Sequence, residues 1–467
     1  MLEDVLKTIA GRREQSLERL KSFLSIPSVS TQPKHAADVR HAADWLADQL
    51  RFAELDVRVM PTGPGGSGHP VVVAKNRHVR GRPTVLYYGH YDVQPPEPLD
   101  LWDSPPFEPT VRDGKLFARG ASDDKGQVWC HVEAVTCWQA HGGVPCNLTM
   151  LIEGEEESGS ENLEQFLEEQ KAHLAADVCL VSDSAMFAPG VPAIDYGLRG
   201  LCYMEVFFEG PNHDLHSGIF GGAVPNPANV LCRVLGQLHD ENGRVTLPGF
   251  YDRVEEITQT ERQMWKQLPF DEAAHMKAVG LSHGSGEAGY SALERTWCRP
   301  TCDINGIVSG YIEPGAKTVL PSRASAKVSF RLVPYQDPHA VQQAFEQFVR
   351  ERTPDNVKVS FKNHGLAPAV VVPIESKASE LAAQAVEKAA GRRPVFIRGG
   401  GSIPIVASIS QTLGIDTLLV GFGLPDDRLH SPNEKFDLTC LEQGTRTAAA
   451  LYERLSLLPT KSLPVAG

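Results

Sequence analysis

Short, near-continuous apolar runs punctuate the chain: "PVVVAK", "TVLYYG", "LTMLIEG", "DVCLVSD" and "DTLLVGFG". Runs this short, rich in β-branched residues and lacking polar alternation, predict strands buried on both faces of a sheet. Segments with helical spacing separate them. In "RHAADWLADQLRFAEL", Ala42, Trp45, Leu46 and Leu50 fall at helix intervals, and the first ~60 residues read as helical throughout. "QVWCHVEAVTCWQAHGG" carries apolar residues at Val128, Trp129, Val132 and Val135 and predicts a helix closed by a C-cap at Gly142. "ENLEQFLEEQKAHL" predicts another. Strands alternating with helices imply an α/β domain around a mainly parallel sheet flanked by helices.

The pattern changes near residue 198. In "RASAKVSFRLVP", Ala324, Ala326, Val328, Phe330 and Leu332 alternate with polar residues, as in a strand covered on one face. "RGLCYMEVFFEG" reads the same way, and "NVKVSF" as a further strand. "NPANVLCRVLGQLHD" and "HAVQQAFEQFVRERT" predict helices that cover one face. The first style returns at "PIESKASELAAQAVEKAAG". The expectation is a smaller α/β domain of residues 198–371 inserted between two parts of a larger one, 1–197 and 372–467.

The 467 residues exceed one ordinary core, which agrees with two domains. A composition of 42% hydrophobic and 22% charged residues is that of a globular protein. No apolar run approaches the ~20 residues that span a bilayer. The charged start, "MLEDVLKTIAGRREQSLERL", lacks the apolar core of a signal peptide, so the expected location is cytoplasmic. A formal net charge of −13 argues against nucleic acid as the main partner. The nine cysteines contain no C-x-x-C. Cys130, Cys179 and Cys232 sit in apolar surroundings that suit buried thiols in a reducing compartment, and Cys298 and Cys302 read as structural.

Candidate metal ligands cluster just past the ends of the apolar runs. "TVLYYG" is followed by His90 and Asp92, "LTMLIEG" by Glu155, Glu156 and Glu157, "DVCLVSD" ends on Asp183, and the loop after "DTLLVGFG" carries His430. Ligands of open α/β sheets bind outside the carboxyl ends of the strands. "ARGASDDKGQ" adds Asp123 and Asp124 at a helix start, where a lone Asp123 is more often an N-cap than a ligand. A set of carboxylates and imidazoles suits Zn²⁺ or a similar divalent ion. Two ions about 3.5–4 Å apart need a shared ligand, and a carboxylate can bridge through its two oxygens.

These residues resemble a known family. "GHYDVQPP", "ARGASDDKG", "EGEEESGSE", "VSDS" and "LHSPNEK" occur in the order of the M20 dinuclear metallopeptidases. "DLHSGIFGG", "KTVLP", "SFRLVP" and "GGGSIPI" are similar to the non-specific dipeptidase and carnosinase branch. The resemblance implies a zinc-exopeptidase-like catalytic domain and a ferredoxin-like lid and dimerisation domain. It implies two divalent metal ions, Zn²⁺ first, with Mn²⁺ or Co²⁺ also compatible. His90 and Asp183 would hold one ion, Glu157 and His430 the other, and Asp123 would bridge them across a water or hydroxide. The Asp123–Asp124 peptide is typically cis in this family. Asp92 would accept the other ring N–H of His90 and fix its tautomer.

Glu156 resembles the general base, which passes a proton from the attacking hydroxide to the leaving amine. Glu153 reads as a strand end, and Glu155 has no assigned role. His216 resembles a residue that reaches a neighbouring subunit's active site in a homodimer and stabilises the oxyanion; on its own it is an ordinary loop histidine. Arg331 resembles the residue that grips the substrate's C-terminal carboxylate, with a solvent-facing strand arginine as the bland alternative. Thr318 and Ser402 would add substrate contacts. "RGGGS" lacks the Gly-Lys-Ser/Thr end of a P-loop.

The function implied is hydrolysis of the amide bond of dipeptides or similar short substrates with a free carboxylate. An N-acyl-amino-acid amidohydrolase or a carboxypeptidase is the alternative on the same metal core. A non-catalytic binding relative is expected to lack a ligand or the base, and here the set is complete. A metallophosphoesterase calls for Asn, more His ligands and basic phosphate-binding groups, a pattern not found.

Overall fold

The computed structural model describes residues 1–401 and 403–460. The chain divides into two compact units, one of 1–196, 372–397 and 408–467, the other of 197–371 and 398–407.

In the first unit the apolar runs form one mixed sheet. Seven of its strands lie in the order Asp56–Met60, Val71–Lys75, Asn147–Glu153, Thr84–His90, Val178–Val181, Thr417–Leu419 and Ala193–Leu198, and Val395–Gly399 also pairs with the last. The middle is parallel: Thr84–His90 pairs in parallel with Asn147–Glu153 and with Val178–Val181, which in turn pairs in parallel with Thr417–Leu419. The flanks are antiparallel, so the expected mainly parallel sheet is a parallel centre with antiparallel edges. Every residue of Thr84–His90 and Asn147–Glu153 is buried, which explains why these strands carry no alternation.

Helices Leu2–Gly11, Arg13–Leu24, Ala36–Phe52, Lys125–Gln139, Lys377–Ala390 and Leu438–Leu455 supply the apolar faces that join this sheet in one core. Two local expectations are corrected. The early chain is helical only to Phe52; Asp56–Met60 is a strand, its Val57 and Val59 packed on the core while Asp56 faces solvent. The helix after "SDD" ends at Gln139, and Gly142 turns the chain beyond it with φ 93°.

In the second unit, strands Thr301–Ser309, Arg323–Leu332, Gly200–Glu209 and Lys358–Ala367 form an antiparallel sheet in that order. The alternating side chains Ala324, Ala326, Val328, Phe330 and Leu332 are buried against helices Pro227–Leu235 and Pro338–Glu351. All nine cysteines are free, and eight are buried; Cys232 is exposed, because it falls on the outer face of Pro227–Leu235, whose Val230, Leu231, Val234 and Leu235 take the buried side. Among the described residues no helix is long and apolar enough to cross a membrane.

Candidate metal centre

The candidate ligands converge at the carboxyl ends of the parallel strands. His90 is the last residue of its strand, Asp183 follows the end of Val178–Val181, and Glu156 and Glu157 form a short 3₁₀ turn past Glu153. Asp123 comes from the loop before Lys125–Gln139, and His430 from the loop after Thr417–Leu419. The N-cap position of that helix belongs to Asp124, and it makes no side-chain cap bond. The side chain of Asp123 is therefore not spent on capping. The Asp123–Asp124 peptide is cis.

Asp123 sits between two histidines. Its Oδ1 lies 3.1 Å from His90 Nε2 and its Oδ2 lies 3.0 Å from His430 Nε2. On one side Asp183 Oδ2 is 3.9 Å from His90 Nε2; on the other Glu157 Oε2 is 3.3 Å from His430 Nε2. Two potential metal-holding groups result, His90–Asp123–Asp183 and Asp123–Glu157–His430, with ligand atoms within 4.8 Å of one another in each and with Asp123 common to both. The donors, carboxylate oxygens and imidazole nitrogens, fit a pair of divalent ions sharing one carboxylate.

Neighbouring groups hold these side chains in place. His90 Nδ1 faces Asp92, with the backbone oxygen at 3.1 Å and Oδ1 at 3.3 Å, leaving Nε2 turned toward Asp123. Asp92 Oδ2 also accepts a hydrogen bond from the Glu157 backbone N–H at 3.1 Å. Gln94 Nε2 donates to Glu157 Oε2 at 2.8 Å. The loop of His430 is held in left-handed backbone at Arg428, His430 and Asn433, with φ of 58°, 58° and 63°. Asn433 locks it by accepting from the Asp103 N–H and donating to the Leu101 carbonyl.

Crowding shapes the electrostatics. Burial pushes the carboxyl of Asp183 up to about 7, with the charge of Asp123 adding to it. Burial also raises Glu156 well above the carboxylate range, the charge of His90 opposing and those of Asp183, Glu157 and Asp123 reinforcing. Glu157 is raised for the same reason, burial first and Asp123 next. His430 is raised to about 10 by its hydrogen bonds to Asp123 and Glu157. For His90 burial favours the neutral ring, but hydrogen bonds to Asp123 and Asp92 outweigh it and raise the pKa well above the usual value. Asp123 is likewise opposed by burial, yet its two histidines hold it below the usual carboxylate range.

The other two glutamates of the cluster have separate roles. Glu153 is buried, accepts from Tyr88 Oη and Ser160 Oγ, and is pushed up to about 8 by burial. Glu155 ties two loops, accepting from the His69 N–H at 2.7 Å and from Asn162 Nδ2 at 3.0 Å. Sequence reasoning had no signal for Glu155, and none for Gln94, whose partner lies 63 residues away.

The remaining candidates lie in the second unit. His216 is exposed and caps a short helix, its Nδ1 accepting from the Gly218 N–H at 3.0 Å. That bond places the proton of the neutral ring on Nε2. Thr318 is its neighbour: the strands Leu215–His216 and Val319–Leu320 pair, and the Ser217 N–H donates to the Thr318 oxygen at 3.0 Å. Arg331 is half-buried on Arg323–Leu332, opposite Leu201 and Thr301. Ser402 lies outside the described residues.

Comparison with known proteins places this geometry in context. The model of peptidase family M20/M25/M40 matches residues 86–454. The chain is 32% identical to the Cys-Gly metallodipeptidase dug1 of Schizosaccharomyces pombe, covering 97% of this chain and 98% of that one. It is 32% identical to the Beta-Ala-His dipeptidase of Homo sapiens, covering 98% and 93%. Among solved structures, the M20 family metallo-carboxypeptidase Sso-CP2 from Sulfolobus solfataricus superposes with a TM-score of 0.86 at 31% identity, covering 95% and 99%.

Proposed function

This chain belongs to peptidase family M20/M25/M40, and on that premise we propose that it is a metal-dependent dipeptidase. It hydrolyses the amide bond of dipeptides or similar short substrates with a free C-terminal carboxylate. The observation that carries this reading is Asp123, one oxygen toward His90 and the other toward His430, each histidine joined by a further carboxylate.

His90 and Asp183 would hold one divalent ion and Glu157 and His430 the other, with Asp123 common to both groups. When bound, such a pair would supply an acidified water and polarise the scissile carbonyl. Zn²⁺ is the first choice for this donor set, with Mn²⁺ or Co²⁺ compatible. Asp92 keeps His90 in the tautomer that presents Nε2. Glu156 takes the proton of the attacking water and delivers it to the leaving amine. Arg331 binds the substrate carboxylate, with Thr318 and Ser402 as further contacts.

His216 donates its Nε2–H to the developing oxyanion of a partner subunit's substrate. The homodimer this requires is supported by the second unit, whose sheet ends at the edge strand Thr301–Ser309 with Ile304, Ile307 and Val308 exposed. The cytoplasm is the proposed location, in keeping with nine free cysteines. The likeness to a metallo-carboxypeptidase favours, as a second reading, cleavage of a C-terminal residue from slightly longer peptides on the same metal core. Metal analysis coupled to an activity screen over dipeptides, tripeptides and N-acyl amino acids separates the readings. Dipeptide turnover that requires two equivalents of metal is expected; turnover undiminished after metal removal overturns the proposal.

A further inference from the structure

The bridging position of Asp123 depends on a loop with little regular structure of its own, and that loop is held from across the chain. Glu434 is fully buried four residues beyond His430. Its Oε1 accepts from the backbone N–H groups of Ser122 at 2.9 Å and Asp123 at 3.1 Å. Its Oε2 accepts from the Gly120 N–H at 2.9 Å and from Arg119 Nη1 at 2.7 Å. One carboxylate thus gathers the backbone of Gly120, Ser122 and Asp123 as a ligand would. The Ala118 N–H donates to the Glu434 backbone oxygen at 3.2 Å, which extends the clasp. Asp427 makes a second tie between the same two loops, accepting from Ser122 Oγ at 2.8 Å and from Lys435 Nζ at 2.6 Å.

We propose that Glu434 is a positioning residue of the metal centre: it fixes the Asp123 loop against the His430 loop and so sets the bridging carboxylate between the two histidines. The inference rests on the dinuclear reading above. It assigns work to a residue that contributes no ligand atom. Both oxygens are needed as acceptors, since they take four donors between them. An amide at this position turns an N–H₂ toward N–H groups, and the loop must move to relieve the contact.

The test is Co²⁺ titration of the metal-depleted full-length protein, read by its absorption spectrum, for wild type, Glu434→Gln and the double variant Arg119→Met/Glu434→Gln. The double variant removes the buried guanidinium that Glu434→Gln leaves without its charged partner. Wild type is expected to bind two equivalents; if it does not, the dinuclear reading itself fails. Both variants are expected to lose at least tenfold in affinity for one equivalent and to change the spectrum, while thermal unfolding shows the double variant more stable than Glu434→Gln. If Glu434 only balances the charge of Arg119, the double variant regains wild-type affinity and the inference fails. Should neither variant fold, amide hydrogen exchange of the wild-type metal-depleted protein decides: strong protection at Gly120, Ser122 and Asp123 is expected, and fast exchange there overturns the clasp.

Discussion

Asp123 Oδ2 lies 3.0 Å from His430 Nε2, although 307 residues separate the two. Its other oxygen meets His90. One carboxylate is thus divided between two histidines from distant parts of the chain.

Glu156 and Glu157 are adjacent but should respond differently to substitution. Glu156→Gln is expected to retain two equivalents of metal while kcat falls by about 10²–10⁴-fold, the usual worth of a general base. Glu157→Gln is expected to lose metal first. Metal analysis and turnover on the same samples distinguish the two, and near-wild-type turnover by Glu156→Gln removes it as the base.

Metal loading should release protons. Without metal, His430 titrates at about 10 and Asp183 at about 7, and His90 is raised well above its usual value. A ligand must give up its proton to bind a cation, so affinity rises with pH while these groups remain protonated. The gain contributed by Asp183 is steepest below pH 7 and fades as the pH rises through about 7, while that from His430 persists toward about 10. Calorimetric titration in buffers of different ionisation enthalpy measures the release, and an affinity flat between pH 6 and 8 contradicts the assignment.

His216 should act across subunits. His216→Ala is expected to lose about 10²–10³-fold in kcat, as for loss of one oxyanion donor, with metal content intact. Mixing it with Glu156→Gln under exchange conditions creates hybrid dimers in which one site regains both groups. Recovery of activity from two impaired parents is therefore expected. A strictly monomeric protein, or no recovery after verified exchange, rules out the trans role.

Arg331 should matter only for substrates with a free carboxylate. Arg331→Lys is expected to raise KM for a dipeptide by roughly tenfold or more, since a bidentate charged contact is lost. The C-terminally amidated analogue, a poorer substrate from the start, should change little. An equal effect on both substrates would place Arg331 elsewhere.

Gly126 tests the seat of the Asp123 loop. A Cβ there would lie 1.9 Å from the Ala121 carbonyl oxygen. In a free helix, Gly→Ala stabilises by about 1 kcal/mol; here Gly126→Ala is expected to destabilise by about 1–3 kcal/mol through overpacking and to weaken metal binding. Thermal unfolding with and without metal checks both effects.

Much of the frame was legible because it is local. Continuous apolar runs mark the buried strands, and the alternation from Ala324 to Leu332 reappears as five buried side chains. Asp56–Met60 alternates, with Val57 and Val59 on the core and Asp56 and Arg58 exposed, but a five-residue run just after a long helix is too short to stand apart from it in the sequence. Cys232 was misplaced because an apolar neighbourhood in sequence does not say which face of a helix turns inward. Glu155 was unreadable for another reason: its partners, His69 and Asn162, come from different loops.

By itself the sequence determined most of the strands and helices of the frame, and that histidines and carboxylates stand at the ends of the central strands. Residue type and short-range period carry that information. Only the tertiary structure decided that Asp123 faces His90 and His430 rather than capping its helix, that Gln94 holds Glu157, and that Glu434 gathers the loop of Asp123. Those pairings depend on backbone segments brought together by packing of the core. No spacing along the chain encodes a hydrogen bond between residues 311 positions apart.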